Sequence, residues 1–402
     1  MRYVEQPLHE LVPESLFSKL SVWLSDERYC PIGSASPVWF DIETTGLSAL
    51  SSSVYMIGAI APSATSDPEP RNWVFRQWFA ERPSEEAEVI TAFSGSLPEH
   101  CALLHFNGTT FDIPFLRDRS RALGLPVTWP SVSVDLYTQL RRLKTPAALA
   151  SCRQKDLEPY AGYDREDPYD GGELIRFYSE FVGFSKIHKP EAEDRYRDLA
   201  RHNREDLLGL VSLVRIYDCF ALLDGGLDDA ELISYNEDAA EFQLLSSLSW
   251  PAGLTLSKPL DKLLTLPDRL LGTSLSVAAD ADGRPVLRVP FLTEPAKHFY
   301  PNFKDYYYLT VEGKVVHKSI ASYMDRAYCR PAKRDEAFDW FRGELLPQPF
   351  ELFAPSFSYG IKDECLLFPG RELPKHPERH TDYVASLLSL FLKSSAKRSS
   401  GK

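Results

Sequence analysis

Short apolar runs separated by turn residues fill the first third of the chain, and this pattern predicts β-strands. Three of these runs follow one another closely and predict an antiparallel meander. A helical pattern from Pro83 to Phe93, with acids in its early turns, is followed by two short runs typical of buried parallel strands. The five predicted strands are 38–43, 54–60, 73–79, 101–106 and 132–136. The order β-β-β-α-β-α-β-α predicts an α/β domain with a mixed five-stranded sheet flanked by helices.

Helical patterns follow the last two strands. Thr109 or Thr110 is a candidate cap for a helix that runs to about Leu123. The further helices are predicted at 137–144, which is basic, at 173–182 and at 191–223. The last of these carries an apolar stripe that would press it onto the sheet. Between them, residues 156–172 are acidic and contain glycine, as is typical of a linker.

The pattern changes again after about residue 225. Residues 1–36 are predicted to be an N-terminal extension, 37–225 the main domain, 230–392 a smaller α+β domain, and 393–402 a disordered tail. In the C-terminal part, a helix is predicted at 242–248, a strand at 286–291 and a hairpin at 306–317. Aromatic residues interleaved with lysines around this hairpin fit either a base-stacking surface or a small β-rich core with aromatic cross-strand pairs.

Composition excludes several classes of protein. The chain has 402 residues, 44% of them hydrophobic, and a net charge of −12, which disfavours a general nucleic-acid coat protein. The six cysteines are scattered and contain no C-x-x-C pair, which argues against a zinc cluster and a disulfide framework. The apolar runs are too short to span a bilayer, and the N-terminus lacks the apolar core of a signal peptide. We therefore expect a cytoplasmic protein without membrane segments.

Acidic residues stand where the predicted strands end. Asp41 and Glu43 alternate on the first strand and so share a face. Burying both is costly unless a cation or a hydrogen-bond donor compensates them, and Mg²⁺ is the simplest such cation. Asp112 follows the fourth strand, and His202 and Asp206 share one face of the last helix. Each of these features alone has an ordinary structural explanation. Their convergence at one edge of the sheet favours a metal site.

Three motifs resemble those of the DEDD superfamily of 3′–5′ exonucleases, which have the ribonuclease H-like fold. They are Asp41-Ile42-Glu43-Thr44-Thr45-Gly46-Leu47, then Asn107-Gly108 with Phe111-Asp112-Ile113-Pro114, and finally His202-Asn203-Arg204-Glu205-Asp206. The resemblance covers about residues 37–222. Three residues separate the histidine from the last aspartate, which is the spacing of the superfamily's Tyr-type branch, whereas its His-type branch has four. The sequence Tyr235-Asn236-Glu237-Asp238 lies beyond the predicted helix and is not expected to take part.

The resemblance implies a chemistry. Two Mg²⁺ or Mn²⁺ ions would be held by Asp41, Glu43, Asp112 and Asp206, and would activate a water and stabilise the leaving 3′ oxygen. His202 would accept the proton of the water, and nucleoside 5′-monophosphates would be released. The expected substrate is the single-stranded 3′ end of DNA or RNA, bound along Thr44, Thr45, Gly46 and Leu47 with Asn107 in support. Two alternatives remain: a non-catalytic nucleic-acid-binding or scaffold protein, and a structure-selective nuclease that uses the same acids.

Overall fold

A computed structural model of the chain describes residues 1–63 and 69–392. The chain divides into two compact units. The first takes Met1–Thr145 and Leu149–Asp218, and the second takes Pro146–Ala148 and the chain from Cys219 onward. The tail predicted to be disordered lies outside the described residues.

A mixed sheet forms the centre of the first unit. Its strands are β1 (Arg2–Pro7), β2 (Ser36–Thr44), β3 (Val54–Pro62), β4 (Trp73–Phe79), β5 (Cys101–His105) and β6 (Val132–Asp135). The strand order is β1-β4-β3-β2-β5-β6, antiparallel from β1 to β2 and parallel from β2 to β6. This confirms the predicted fold class. The predicted number of five strands is wrong by one, because β1, in the presumed N-terminal extension, pairs with β4 at the edge of the sheet.

Helices flank this sheet. They are α1 (Ser15–Ser25), α2 (Glu86–Gly95), α3 (Asp112–Ala122), α4 (Leu136–Leu140), α5 (Gln154–Leu157), α6 (Gly171–Lys186) and α7 (Glu191–Ser212). Helix α7 packs on β2 and β3, and α6 packs on α7. The core between helices and sheet includes Phe40, Met56, Phe93 and Phe181, all nearly inaccessible to solvent.

Several local predictions are corrected. Neither Thr109 nor Thr110 caps α3; Thr110 Oγ1 instead donates to the carbonyl of Asn107, and the helix begins two residues later. The basic helix at 137–144 is shorter, since α4 ends at Leu140 and a 3-10 turn follows. The helix predicted to reach residue 223 ends at Ser212, after which come a 3-10 turn and α8 (Tyr217–Leu223).

The second unit consists mainly of strands. They are β7 (Asp229–Tyr235), β8 (Ala239–Leu245), β9 (Leu256–Pro259), β10 (Ser274–Ala279), β11 (Pro285–Pro290), β12 (Ala296–Phe299), β13 (Tyr306–Leu309), β14 (Lys314–His317), β15 (Cys329–Pro331), β16 (Phe338–Phe341), β17 (Leu345–Gln348) and β18 (Leu366–Pro369), with helices α9 (Lys318–Ala321) and α10 (His380–Leu392). They form sheets β7-β8-β11-β10-β9, β12-β16, β14-β13-β15 and β17-β18.

The predicted hairpin of β13 and β14 is confirmed, whereas the helix predicted at 242–248 is wrong. The residues from Ala239 to Leu245 pair on both sides and are mostly buried, so their apolar run has no period that distinguishes a strand from a helix. No helix in the described part of the chain is long and apolar enough to cross a membrane.

Candidate active site

Strand β2 places Asp41 and Glu43 on the sheet face that α7 covers. The two residues are two positions apart and therefore project to the same side. The apolar residues around them are buried, and the pairing with β3 shifts register between Glu43 and Thr44, where the chain leaves the sheet. Backbone pairing thus holds both acids beneath a helix.

Helix α7 presents His202 and Asp206 to these acids. Residues four apart lie one turn above each other on a helix, and His202 Nε2 is 3.2 Å from Asp206 Oδ2 and 3.8 Å from Glu43 Oε1. One ligand atom from each of Glu43, His202 and Asp206 lies within 4.8 Å of the others, a spacing that could hold a metal ion. The first and third sequence motifs therefore meet.

Asp112 joins this cluster from the start of α3. Its buried carboxylate accepts hydrogen bonds from its own backbone N–H and from that of Ile42, which lies between the two acids of β2. The turn before α3 contains Gly108 and passes close to the Asp112 carboxylate. A Cβ on Gly108 would lie 3.0 Å from Asp112 Oδ2 and 2.8 Å from His105 Cγ, so the glycine permits this close approach. The structure thus brings all four predicted metal-binding acids into one cluster.

Three carboxyl groups of the cluster are largely buried without enough positive charge around them to offset the cost of burial. Burial raises the pKa of Asp41 well above its usual range, and the charges of Asp206, Glu43 and Asp112 raise it further. Burial raises the pKa of Glu43 to about 7, although the charge of His202 opposes this, and raises the pKa of Asp112 to about 7 against the effect of its backbone hydrogen bonds. Three neighbouring groups therefore bind protons more tightly than free carboxyl groups do.

Asp206 differs because two cations contact it. Burial disfavours its ionised form, but His202 and Arg165 lower its pKa to about 2. Arg165 Nη1 lies 2.6 Å from Asp206 Oδ1, and Arg165 Nε donates to Glu158 Oε2 at 2.8 Å. The Arg165 and Glu158 side chains are only 7% and 2% exposed. The prediction of a linker at 156–172 is therefore wrong, since this segment forms one wall of the cluster.

Asp167, in the same segment, holds the second nitrogen of His202. Its Oδ2 atom lies 2.5 Å from His202 Nδ1. The buried carboxylate of Glu205 accepts the backbone N–H groups of Glu166 at 2.8 Å and of Asp167 at 3.0 Å, which fastens the segment to α7. Burial disfavours the charged form of His202, but its hydrogen bonds to Asp167 and Asp206 raise its pKa to about 11. In the metal-free protein His202 is therefore an imidazolium that donates hydrogen bonds from both nitrogens.

Asn203 connects α7 to the sheet. Its Nδ2 donates to Asp41 Oδ2 at 2.9 Å, and its Oδ1 accepts from Gln77 Nε2 at 2.8 Å. Asp41, Gly58 and Gln77 are neighbours across β2, β3 and β4, so the asparagine lies directly above the glycine. A Cβ on Gly58 would lie 2.2 Å from Asn203 Oδ1 and 2.5 Å from Leu207 Cδ1. The glycine therefore makes room for the contact between helix and acid.

Sequence reasoning missed these supporting residues to different degrees. Glu205 and Asn203 stand inside the His202-to-Asp206 motif, so their position was a usable signal. Arg165 and Asp167 stand in a charged run whose sequence is typical of a solvated loop. Only their contacts in the folded protein identify them as supporting residues of the cluster.

The predicted substrate-binding residues lie along the turn that leaves β2. Thr44 Oγ1 donates to the carbonyl of Gly46 at 2.9 Å, and Thr45 Oγ1 accepts from the backbone of Ser53 at 2.9 Å, so both hydroxyls shape the turn. Leu47 is 86% exposed at its tip, which leaves an apolar side chain open to a ligand. The roles assigned to these residues stay predictions.

Asn107 lies at the end of the neighbouring strand. It has a left-handed backbone (φ 63°), its N–H donates to Asp135 Oδ1 at 2.8 Å, and its side chain accepts from Thr110 Oγ1 at 3.0 Å. Asp135 also caps α4 by accepting from the backbone of Tyr137. Asp135 thus has a structural role, and the substrate-binding role of Asn107 stays a prediction.

The donor set fits a divalent cation. Carboxylate oxygens are the ligands that Mg²⁺ and Mn²⁺ prefer, and buried like charges with raised pKa values are the state that a cation relieves. The acids outnumber the two buried cations, which are Arg165 and His202. The acids are Asp41, Glu43, Asp112, Glu158, Asp167 and Asp206. The free protein therefore has more carboxyl groups than cations at the position where a metal would bind.

Comparison with solved structures finds distant similarities. The family B DNA polymerase from the hyperthermophilic archaeon Pyrobaculum calidifontis is 15% identical, with a TM-score of 0.33 over 62% of this chain and 39% of the polymerase. Escherichia coli exonuclease I in complex with a dT13 oligonucleotide is 14% identical, with a TM-score of 0.27 over 52% of this chain and 55% of the exonuclease. This chain therefore covers only about half, or less, of the length of these structures. At such TM-scores neither similarity decides its activity.

Sequence comparison is more direct. A search of curated proteins found no match. Residues 38–218 match the family described as the RNase_H superfamily, and this range begins at the strand that carries Asp41 and ends just beyond the helix that carries Asp206. Over these residues the chain therefore matches the RNase H superfamily, as its three motifs had indicated.

Proposed function

We propose that this protein is a metal-dependent 3′–5′ exonuclease that hydrolyses phosphodiester bonds of DNA or RNA and releases nucleoside 5′-monophosphates. The observation that carries the proposal is the convergence of Asp41, Glu43, Asp112 and Asp206 in one partly buried cluster with raised pKa values in three of them. Such a cluster destabilises the free protein, and groups perturbed in this way are typical of functional sites. Its chemistry matches phosphoryl transfer, where bound cations offset the charge of the substrate.

These four acids would hold two Mg²⁺ or Mn²⁺ ions. Ions bound there would supply a water of lowered pKa and stabilise charge on the leaving 3′ oxygen. The contribution of the chain is to keep the ligands in place. Asn203 fixes the orientation of the Asp41 carboxylate, and Arg165 fixes that of Asp206. Supporting contacts of this kind orient ligands and tune their affinity.

His202 is the proposed general base, with Asp167 as its positioning residue. Asp167 binds Nδ1 and so directs Nε2 toward Glu43 and Asp206. The contact with Asp206 contributes to the high pKa of the imidazole, and so does the charge of Glu43. When those two carboxylates serve as metal ligands, their hold on the Nε2 proton weakens while Asp167 still orients the ring. A base oriented by a buried carboxylate is the arrangement required for proton transfer near neutral pH.

The turn from Thr44 to Leu47 is the proposed seat of the terminal nucleotide. Exposed Leu47 would lie against a base, and the threonine hydroxyls hold the turn in shape. The strand end at Asn107 would support the sugar or phosphate. A single-stranded 3′ end is the proposed substrate because a terminal nucleotide must be freed from pairing to lie on this turn.

The test is hydrolysis of 5′-labelled single-stranded DNA and RNA oligonucleotides with Mn²⁺. A ladder that shortens from the 3′ end, and that disappears with EDTA and in Asp41→Ala, supports the proposal and identifies the preferred sugar. Asp118→Ala is the matched control, since this acid lies on α3 like Asp112 but is 56% exposed. It should degrade both substrates like the wild type.

The other outcomes distinguish the alternatives. Oligonucleotide binding without turnover at any metal concentration would indicate a non-catalytic binding protein. Cleavage confined to flaps, gaps or hairpins would indicate a structure-selective nuclease. Full activity in Asp41→Ala would refute the site itself.

A further inference from the structure

The segment 296–342 of the second unit has an unusual composition. It contains eleven aromatic residues in 47 positions and nine Lys and Arg residues against six Asp and Glu, a net charge of +3 in a chain whose net charge is −12. This is the stretch for which base stacking and a small aromatic core remained open alternatives.

Burial decides between these alternatives. All residues of this segment are described, and none of its eleven aromatic side chains is buried. Elsewhere in the same unit Phe242, Phe353 and Tyr383 are almost completely buried, so large aromatic side chains of the core come from outside the segment. A cluster of half-exposed aromatic rings is therefore a surface, and surfaces of this kind mark binding sites.

The best-defined part of this surface is one face of the sheet β12-β16. Lys297 pairs with Trp340 and Phe299 pairs with Phe338, so these four side chains project to the same side. We call them the aromatic face. The ring centroids of Phe299 and Phe338 are 5.5 Å apart, those of Phe338 and Trp340 are 5.2 Å apart, and Trp340 is 61% exposed.

A cation lies within this face. Lys297 Nζ is 4.6 Å from the ring centroid of Phe338 and 5.5 Å from that of Trp340. The opposite side of the same two strands is packed, since Phe341 contacts Phe357 at 4.4 Å between centroids and His298 Nδ1 lies 2.8 Å from the carbonyl oxygen of Ser356. The aromatic face is thus the side of the two-stranded sheet that is open to solvent, and the other side packs against residues 356–357.

We infer that the aromatic face binds single-stranded nucleic acid by base stacking on Trp340 and phosphate contact to Lys297. Exposed rings accept unpaired bases of any sequence, and a basic neighbourhood attracts the phosphates between them. In duplex DNA the faces of the bases are stacked on each other, so duplex DNA offers phosphates to Lys297 but no free base to Trp340. The role of this binding, which is to hold the strand whose 3′ end is degraded, rests on the proposed function. The binding itself needs no catalysis.

Binding is measured by fluorescence anisotropy with labelled oligothymidylate and oligouridylate of about 20 nucleotides. The full chain carries Asp41→Ala throughout and EDTA is present, so the probe is not degraded. Trp340→Ala should weaken binding by about 5-fold or more, and Trp340→Phe, which keeps a ring, should stay within about 2-fold of the wild type. Lys297→Gln should reduce the dependence of binding on salt.

Phe350→Ala is the matched control, because this ring is also 61% exposed but lies outside the segment. It should bind like the parent chain, and thermal melts should show that every variant is folded. Equal affinity in the parent chain and Trp340→Ala would overturn the inference, as would duplex binding as tight as single-strand binding. A dimer that Trp340→Ala converts to a monomer with unchanged oligonucleotide affinity would show that the face binds a second copy instead.

These outcomes are independent of the nuclease assay. A metal-dependent ladder together with no effect of Trp340→Ala would refute only the aromatic face. Loss of binding in Trp340→Ala together with no ladder from the wild type would refute only the exonuclease.

Discussion

Replacing Gly58 with alanine tests how the sheet and α7 are held together at the candidate site. The new methyl group would lie 2.2 Å from Asn203 Oδ1 and 2.5 Å from Leu207 Cδ1, roughly 1 Å closer than ordinary contact. Both neighbours lie on α7 and are buried. The helix must therefore move away from β3, or the two side chains must leave their positions.

The cost follows from these contacts. Overpacking costs about 1–3 kcal/mol, and a weakened hydrogen bond from Asn203 to Asp41 costs about 0.5–1.5 kcal/mol more. We expect a loss of about 2–4 kcal/mol in the free energy of unfolding, which corresponds to a fall of about 5–15 °C in Tm. A shift of about 1 Å between α7 and β2 also separates Asp206 from Glu43, and misplacement of this size reduces turnover by about 100-fold.

The assays are thermal melting, Mn²⁺ binding by calorimetry and the oligonucleotide ladder. Gly183→Ala is the control, since nothing lies within 4 Å of a Cβ at that exposed position of α6, and it should leave all three readouts unchanged or raise Tm slightly. If Gly58→Ala melts and binds Mn²⁺ like Gly183→Ala, the packing argument is refuted. Normal binding with lost turnover would show that the helix shift affects the reaction and not the metal.

Three further predictions concern charge. Asp167→Asn should reduce kcat by about 100-fold or more with little change in KM, and it should move the pH–rate profile to lower pH because His202 loses a partner that raises its pKa. An unchanged profile would show that Asp167 does not position His202 as the general base. In the metal-free protein Glu43 and Asp112 have folded-state pKa values of about 7, above their unfolded values of about 4. The free energy of unfolding should therefore fall as pH rises from about 4 to about 8, by about 1.4 kcal/mol for each unit of pKa shift, and added Mn²⁺ should flatten this dependence. A free energy of unfolding that does not change with pH in the metal-free protein would contradict the cluster. Arg119→Ala breaks a part-buried ion pair with Glu86 and the hydrogen bond that this arginine donates to the carbonyl of Ala49, in the turn after Leu47. It should cost about 2 kcal/mol, because the carboxylate of Glu86 loses its partner, and it should raise KM more than it lowers kcat. An unchanged KM would show that the turn does not bind substrate.

Local rules account for much of what could be predicted. The positions of Asp41 and Glu43 on one face follow from strand alternation, and the proximity of His202 and Asp206 follows from the helical period. By contrast, β1 was missed because its residues are mostly polar or half-exposed, as is common at the edge of a sheet where backbone pairing provides the stability. Strand β8 was misassigned because burial on both faces removes the alternation that identifies strands.

The sequence by itself determined the class of the first unit, the strand and helix that carry its acids, and the chemistry those acids favour, because each of these depends on residues a few positions apart. Only the tertiary structure decided how the acids are neutralised and oriented. Arg165 and Asp167 belong to a charged run that would look the same in solvent, and their burial depends on partners in α7 about 40 positions later. Gly58 and Asn203 meet only when β3 and α7 pack. Contacts between residues far apart in the chain leave no local pattern, since each member satisfies the rules of its own strand, helix or loop.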